Sequence, residues 1–440
     1  MIQKTSSIFV IHLGCSKNQV DAEQLVGELL SVGFQTTDSV DTADYIIINT
    51  CGFIEPAKEE SIETILSQLQ NRKKGQKVIV SGCLSQRYGK DLASEMPEVD
   101  YWIGTYKPGE LLTKLGFKND GIECAANPRP RLNLGGYAHH AYIKIAEGCN
   151  RKCAFCAIPG IRGNQISRSI KDIVEEAKQL EAQGIKELTL IAQDTTYFGR
   201  EKGKKGGTLQ LLLEAILSET KIPWIRMLYW YPEFIDDSLL ELMAKESRLC
   251  KYIDMPIQHA SDSQLKLMKR HYRKAELREL LLKIREKIPN ITLRTTVLVG
   301  FPGETHEDFE ELMDLIQEVH FEHLGGFVYS PEEGTPAEKL TETPVDEEEA
   351  RVRLDAITEL QESISLEKNE ALIGKEIVVL IDEIAEESEY HFIGRTEGNA
   401  LDTDDIVKIL EGDAEPGNFY KAIVVNVNPH ELICNIIKPC

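Results

Sequence analysis

Along most of the first 330 residues, short apolar runs alternate with segments of helical 3–4 spacing, and this alternation narrows the choice of fold more than any other feature. An apolar run, an amphipathic helix and another apolar run build parallel strands joined by crossover helices. In the first part, residues 8–13, 45–48 and 77–80 read as strands. Helical patterns follow at 18–30, with Asn18 as the expected cap, and at 56–69, and another follows the third run. Residues 1–120 are therefore expected to form an open parallel α/β sheet with helices on both faces.

The stretch 116–136 holds Pro128, Pro130 and several Asn and Gly residues without periodicity, and 121–136 reads as a linker. The alternation restarts at Tyr137 and repeats six times, with strands expected at 141–146, 187–192, 225–230, 252–257, 293–299 and 323–329. Helices such as 170–183 and 305–319 lie between them. Six units fall two short of a closed eightfold barrel, so a partial (β/α)6 barrel is the expected core of 137–373, trailed by a charged helix at 346–373. From Gly374 to Cys440, β-type runs such as 377–381 and 422–427 alternate with Gly and Asn turns and predict a small all-β barrel.

Charge bounds the partners. Fifty Lys and Arg against seventy-two Asp and Glu leave a net charge of −22. The C-terminal unit alone carries five basic residues against fourteen acidic ones, a net of −9. Such a surface repels a phosphate backbone, so no direct reading of nucleic acid is expected and a basic protein partner fits better. The run Asp402, Asp404 and Asp405 is a candidate for that attraction. No apolar run approaches the roughly 18–20 residues that span a bilayer, so no membrane contact and a cytoplasmic location are expected. The run at 8–13 ends in Gly14-Cys15 like a lipoprotein cleavage site, but it is too short for that role and His12 interrupts it. In a cytoplasmic chain, ten cysteines read as ligands or buried thiols rather than disulfides.

Two sets of cysteines stand out. Cys149, Cys153 and Cys156 form C-x3-C-x2-C directly after the first strand of the second array. Three thiolates can hold three irons of a [4Fe–4S] cube and leave the fourth open. Structural zinc normally takes four ligands, and no fourth stands at knuckle spacing. Cys15, Cys51 and Cys83 each follow an apolar run. In an open parallel sheet, ligands gather at the carboxyl ends of the strands, so these three converge on a second site. Gly14, Gly52 and Gly82 beside them permit the tight turns that such an approach needs. Cys124, Cys250, Cys434 and Cys440 share no such placement and read as ordinary thiols.

With these residues in view, the chain resembles the radical S-adenosylmethionine (SAM) methylthiotransferases over nearly its whole length. The likeness rests on Leu13-Gly14-Cys15-Ser16-Lys17-Asn18, Asn49-Thr50-Cys51-Gly52-Phe53 and Gly82-Cys83-Leu84, and on Phe155 before the last cysteine of the C-x3-C-x2-C motif. The C-terminal unit resembles a TRAM domain. Ser16 departs from the proline common at that position and touches no expected ligand. The resemblance implies two [4Fe–4S] clusters on the two cysteine sets and SAM as cofactor. It further implies insertion of a methylthio group into an unactivated C–H bond, with an electron donor and a sulfur donor as further partners. SAM contacts are expected at the strand ends, from Phe155, Gln193, Gln258, Gly300 and Phe327.

Further motifs distinguish the branches of the family. Ile145-Ala146-Glu147-Gly148-Cys149-Asn150, Ala157-Ile158-Pro159 with Arg162-Gly163, Gln258-His259-Ala260 and Tyr329-Ser330-Pro331-Glu332-Glu333-Gly334-Thr335 resemble one branch. That branch modifies the β-carbon of an aspartate in small-subunit ribosomal protein S-twelve, free or on the ribosome. The alternative is a tRNA adenosine methylthiotransferase, which shares the six cysteines. Anaerobic reconstitution is expected to load about eight irons per chain, as two cubane clusters require; about four irons in an iron assay would remove one of the two sites.

Overall fold

Alternate residues of the strands Tyr45–Thr50 and Lys77–Gly82 point to opposite faces of a sheet, and each face has its own core. Ile47 and Ile79 pack with Leu25, Val26 and Leu29 on one side, while Ile46, Ile48, Val78 and Val80 pack with Ile65, Leu84 and Leu92 on the other. The computed structural model describes residues 6–117, 131 and 136–440, so nearly all of the expected linker at 121–136 lies outside the described residues. In the N-terminal domain five parallel strands run in the order Gln35–Thr36, Ser7–His12, Tyr45–Thr50, Lys77–Gly82, Tyr101–Trp102. Helices Ser16–Ser31, Glu55–Asn71 and Cys83–Glu95 cover it. The open α/β sheet read from the sequence is present.

The central domain has the six expected strands: His140–Lys144, Glu187–Ile191, Trp224–Met227, Tyr252–Asp254, Thr292–Val299 and His323–Val328. The first three and the last three form two parallel sheets. A parallel bridge between Ile225 and Leu249, with Trp230 N–H donating to Asp254 O at 2.8 Å, carries the curve from one sheet to the other. The array is thus an open arc in chain order, the partial barrel expected. Asp346 caps the long helix Glu347–Glu370, which lies along the last strand. Glycine makes that approach possible: a Cβ on Gly326 would sit 2.4 Å from Leu354 Cδ1, and one on Gly300 2.7 Å from Ala350 Cβ.

The last unit is a closed barrel of Glu376–Ile384, Phe392–Arg395, Ile406–Glu411, Glu431–Pro439 and Phe419–Asn428, in that spatial order. It seats on the amino-terminal ends of the central strands through buried charges. Glu187, at the start of the second strand, accepts from Arg226 Nε and from Arg395 Nη1, each at 2.6 Å. Arg395 also pairs with Asp382, which receives His139 Nε2 at 2.8 Å. Burial alone would raise the Glu187 carboxyl, but Arg395 and Arg226 outweigh it and hold the group well below the usual carboxylate range.

Two members of the acidic run expected to meet a partner, Asp404 and Asp405, are used differently, while Asp402 is exposed. Asp404 accepts from Arg294 Nε at 3.1 Å and from Tyr252 Oη at 2.6 Å, and its side chain is only 1% exposed. Asp405 meets His323 and His430. These carboxylates fasten the C-terminal barrel to the central domain, because the sequence places them opposite cations of the barrel floor. The exposed acidic groups of this unit include Glu383, Glu386, Glu387 and Glu389 in and beyond the first strand. Removing one member of a buried charge network strands the others, which costs about 3–5 kcal/mol. Glu187→Gln is therefore expected to lower the unfolding free energy read from chemical denaturation by about 3–5 kcal/mol, whereas an exposed change such as Glu386→Gln leaves it unmoved.

Candidate functional site

The strands that precede Cys15, Cys51 and Cys83 are the three central neighbours of the N-terminal sheet, and each cysteine follows its strand by one to three residues. Parallel pairing in register therefore brings the three to one edge. Cys15 caps the helix Ser16–Ser31 and Cys83 opens the helix Cys83–Glu95, so both stand at helix amino-terminal ends, and burial pushes the Cys83 thiol up to about 11 against the lowering by Arg162. Gly14 lies at φ +90°, and a Cβ there would come within 2.9 Å of Cys51 Cβ. Gly82 lies at φ +98°, and a Cβ there would meet Thr50 O at 2.4 Å. Asn18 is not the cap that its position predicts. Its Nδ2 donates to Leu13 O at 2.8 Å and Thr50 O at 3.1 Å, tying the Cys15 and Cys51 turns together.

The second set sits at the carboxyl end of the strand His140–Lys144. Cys149 N–H donates to Gly163 O at 3.0 Å, and Ala154 N–H to Met268 O at 2.9 Å, which pins the loop at both ends. Burial pushes the Cys149 thiol up to about 11 and that of Cys156 to about 12, so metal loading must displace protons here. Arg270 Nη1 donates to Cys153 Sγ at 3.4 Å, and its guanidinium lies 4.4 Å from the Tyr231 ring centroid. Its remaining donors go to Tyr272 Oη at 2.8 Å and to Pro256 O rather than to a carboxylate. A half-buried cation without a carboxylate partner suits an anionic centre at these sulfurs.

Among the described residues, no three of His, Cys, Asp or Glu lie close enough to hold a single metal ion. Ligands of different irons in one cube must stand wider apart than ligands of one ion, and all six donors are soft sulfur. The residues fit iron–sulfur clusters.

One short segment separates the two sets. Ala157 and Ile161, just after Cys156, pack on Cys83. Arg162 Nη2 donates to Cys83 Sγ at 3.2 Å, and Nη1 to Asp21 Oδ2 and Glu147 Oε1, each at 2.9 Å. Lys144 pairs with the same two carboxylates. Nearby, the Lys17 ammonium lies 3.0 Å from the centre of the Tyr229 ring.

The five expected SAM contacts are spread round the carboxyl ends of the arc. Gln193 Nε2 donates to Glu147 Oε1 at 3.3 Å, while its Oε1 is buried without a partner. Gln258 is held at φ +70°, a left-handed conformation that costs a non-glycine residue about 1–3 kcal/mol and tends to mark functional positions. Phe155 stands edge-on to Phe301 at 6.4 Å. Phe327 is 55% exposed on the last strand. Gly300 packs against the long helix, and its N–H donates to Glu304 Oε2 at 2.6 Å, so packing already explains this glycine. Sequence reasoning missed Gln165, whose buried Oε1 has no partner, and the roles of Glu147, Arg162 and Arg270. Glu147 and Arg162 lie inside quoted motifs; Arg270 lies in a basic run outside all of them.

Gly148 lies at φ +78°, and a Cβ there would press within 2.3 Å of Asn164 O. Gly148→Ala is expected to displace Cys149 and leave about half of the reconstituted iron, since each cube accounts for one half; an iron assay beside a fold check by circular dichroism reads this.

Comparison with known proteins follows the same three-part division. Residues 7–104 match the model of Uncharacterized protein family UPF0004, residues 143–316 the Radical SAM superfamily, and residues 373–437 the TRAM domain. Ribosomal protein uS12 methylthiotransferase RimO of Aquifex aeolicus (strain VF5) is 44% identical over 426 residues, covering 97% of this chain and 96% of its own. The protein of the same name from Myxococcus xanthus (strain DK1622) is 40% identical over 447 residues, covering 98% and 92%. Among solved structures, the radical SAM methyltransferase TsrM of Kitasatospora setae, with cobalamin and a [4Fe-4S] cluster bound, shares the fold at a TM-score of 0.56. Its identity is 16%, and the match covers 76% of this chain and 74% of that one.

Proposed function

The chain belongs to the RimO family of ribosomal protein uS12 methylthiotransferases, and on that premise we propose that it places a methylthio group on the β-carbon of an aspartate of uS12, the S-twelve protein. It is a radical SAM enzyme. Bound SAM and iron–sulfur clusters supply one-electron cleavage at an unactivated C–H position, and the methyl and sulfur that replace the hydrogen. Cys149, Cys153 and Cys156 hold one [4Fe–4S] cluster, and Cys15, Cys51 and Cys83 hold the second. The observation that carries this reading is the shared wall at residues 157–162, which sets the two cysteine sets side by side. A position activated at one site then needs no long transfer to meet sulfur held at the other.

The chain's own residues orient and shield. Phe155, Gln193, Gln258 and Phe327 contact SAM, with Gly300 shaping the turn beside them. Arg270 balances charge at Cys153. Glu386 and Glu389, exposed beyond the C-terminal strand Glu376–Ile384, present negative charge to a basic protein. The relatives favour the ribosomal-protein branch over the tRNA-modifying one. A reductant and a sulfur source are separate partners. Among the described residues no helix is long and apolar enough to cross a membrane, and we place the enzyme in the cytoplasm with its substrate.

Two triple variants separate the sites. With Cys149, Cys153 and Cys156 changed to alanine, 5′-deoxyadenosine formation should cease. With Cys15, Cys51 and Cys83 changed instead, the reduced protein should still make 5′-deoxyadenosine but leave the mass of uS12 unchanged. SAM cleavage by the first variant, or methylthiolated uS12 from the second, overturns the assignment.

A further inference from the structure

Arg162 belongs to the central domain by sequence, yet it ends on a sulfur of the N-terminal domain. Its side chain is only 1% exposed. Four contacts hold the guanidinium in place: Cys83 Sγ at 3.2 Å, Asp21 Oδ2 at 2.9 Å, Glu147 Oε1 at 2.9 Å and, longest, Asn18 Oδ1 at 3.4 Å. Lys144 completes a quartet of two cations and two carboxylates that is neutral in itself. Its member nearest the sulfur is the guanidinium, so the local field at Cys83 is positive. A hydrogen bond to a ligating sulfur and a nearby positive charge both stabilise the reduced, more negative state of a cluster.

We propose that Arg162 is a positioning residue that raises the reduction potential of the N-terminal cluster through its hydrogen bond to Cys83, with Asp21 and Glu147 setting how much of its charge is felt. This deepens the proposed function and rests on Cys15, Cys51 and Cys83 holding a cluster. It also makes the joint between the domains part of the electron chemistry, since any shift of the segment 157–162 changes the bond to Cys83.

The test uses the full chain with Cys149, Cys153 and Cys156 changed to alanine, so that the only cluster measured is the N-terminal one. After anaerobic reconstitution, iron is counted and the midpoint potential is read by dithionite titration followed by electron paramagnetic resonance. In this background Arg162→Gln should move the midpoint to more negative potential at unchanged iron content. Arg162→Lys keeps the charge but loses the planar fork, and should fall between the two. Asp21→Asn removes an opposing charge and should move the midpoint the other way. A purely structural role for Arg162 would lower thermal stability and leave the midpoint where it was, so Arg162→Gln with full iron and an unmoved midpoint overturns the proposal. If Arg162→Gln holds no iron, Asp21→Asn decides, and an unmoved midpoint there overturns it equally. Absence of iron from the background variant itself is a different failure, and would overturn the N-terminal ligand assignment.

Discussion

Two cations and two carboxylates, Lys144 and Arg162 with Asp21 and Glu147, meet where the N-terminal sheet rests on the mouth of the central arc. Much of the rest of the architecture depends on that joint. Asp21 comes from the helix that begins at Cys15, and Glu147 stands two residues before Cys149. The ions that fasten the domains are thus drawn from the turns that carry the cysteines. Charges buried to this degree cost several kcal/mol each unless they are fully paired, so the joint is stable only in one arrangement. That arrangement is the one that sets the two cysteine sets against a common wall.

A second charged joint closes the opposite end of the arc. Glu187, Arg226, Arg395 and Asp382 link the barrel floor to the C-terminal unit, and Asp404 with Arg294 and Tyr252 extends the contact. Part of the acidity of the C-terminal unit is therefore internal, spent on cations of its neighbour. The surface charge available to a substrate is smaller than the net count and excludes Asp404, which is spent on Arg294 and Tyr252. Counting charges identifies the sign of a surface, and pairing decides its size.

The glycines show the same division of labour in smaller form. Gly14, Gly82 and Gly148 stand beside cysteines, take positive φ and leave no room for a Cβ against neighbouring atoms. Gly300, which reads from the sequence as a SAM contact, is fixed by the long helix, whose Ala350 packs on it. A glycine marks a close approach in each case. What approaches is decided by elements distant in the chain.

Local pattern by itself determined the three units, the open parallel sheet, the six-unit arc and the closing β-barrel, because strand and helix periods are properties of neighbouring residues. It also singled out the six cysteines, three by their C-x3-C-x2-C spacing and three because each follows an apolar run, and a parallel sheet delivers the ends of its strands to one edge whatever the loops do. Tertiary structure alone decided the rest. Asn18 tied two turns instead of capping a helix, because the partner carbonyls of Leu13 and Thr50 reach it only across the sheet. Arg270 found Cys153 117 residues away, and Arg162 found Cys83 79 residues away. No window of sequence holds both members of such a pair. Their meeting is set by how two domains dock, and docking is settled by the pairing of buried charge rather than by any periodicity along the chain.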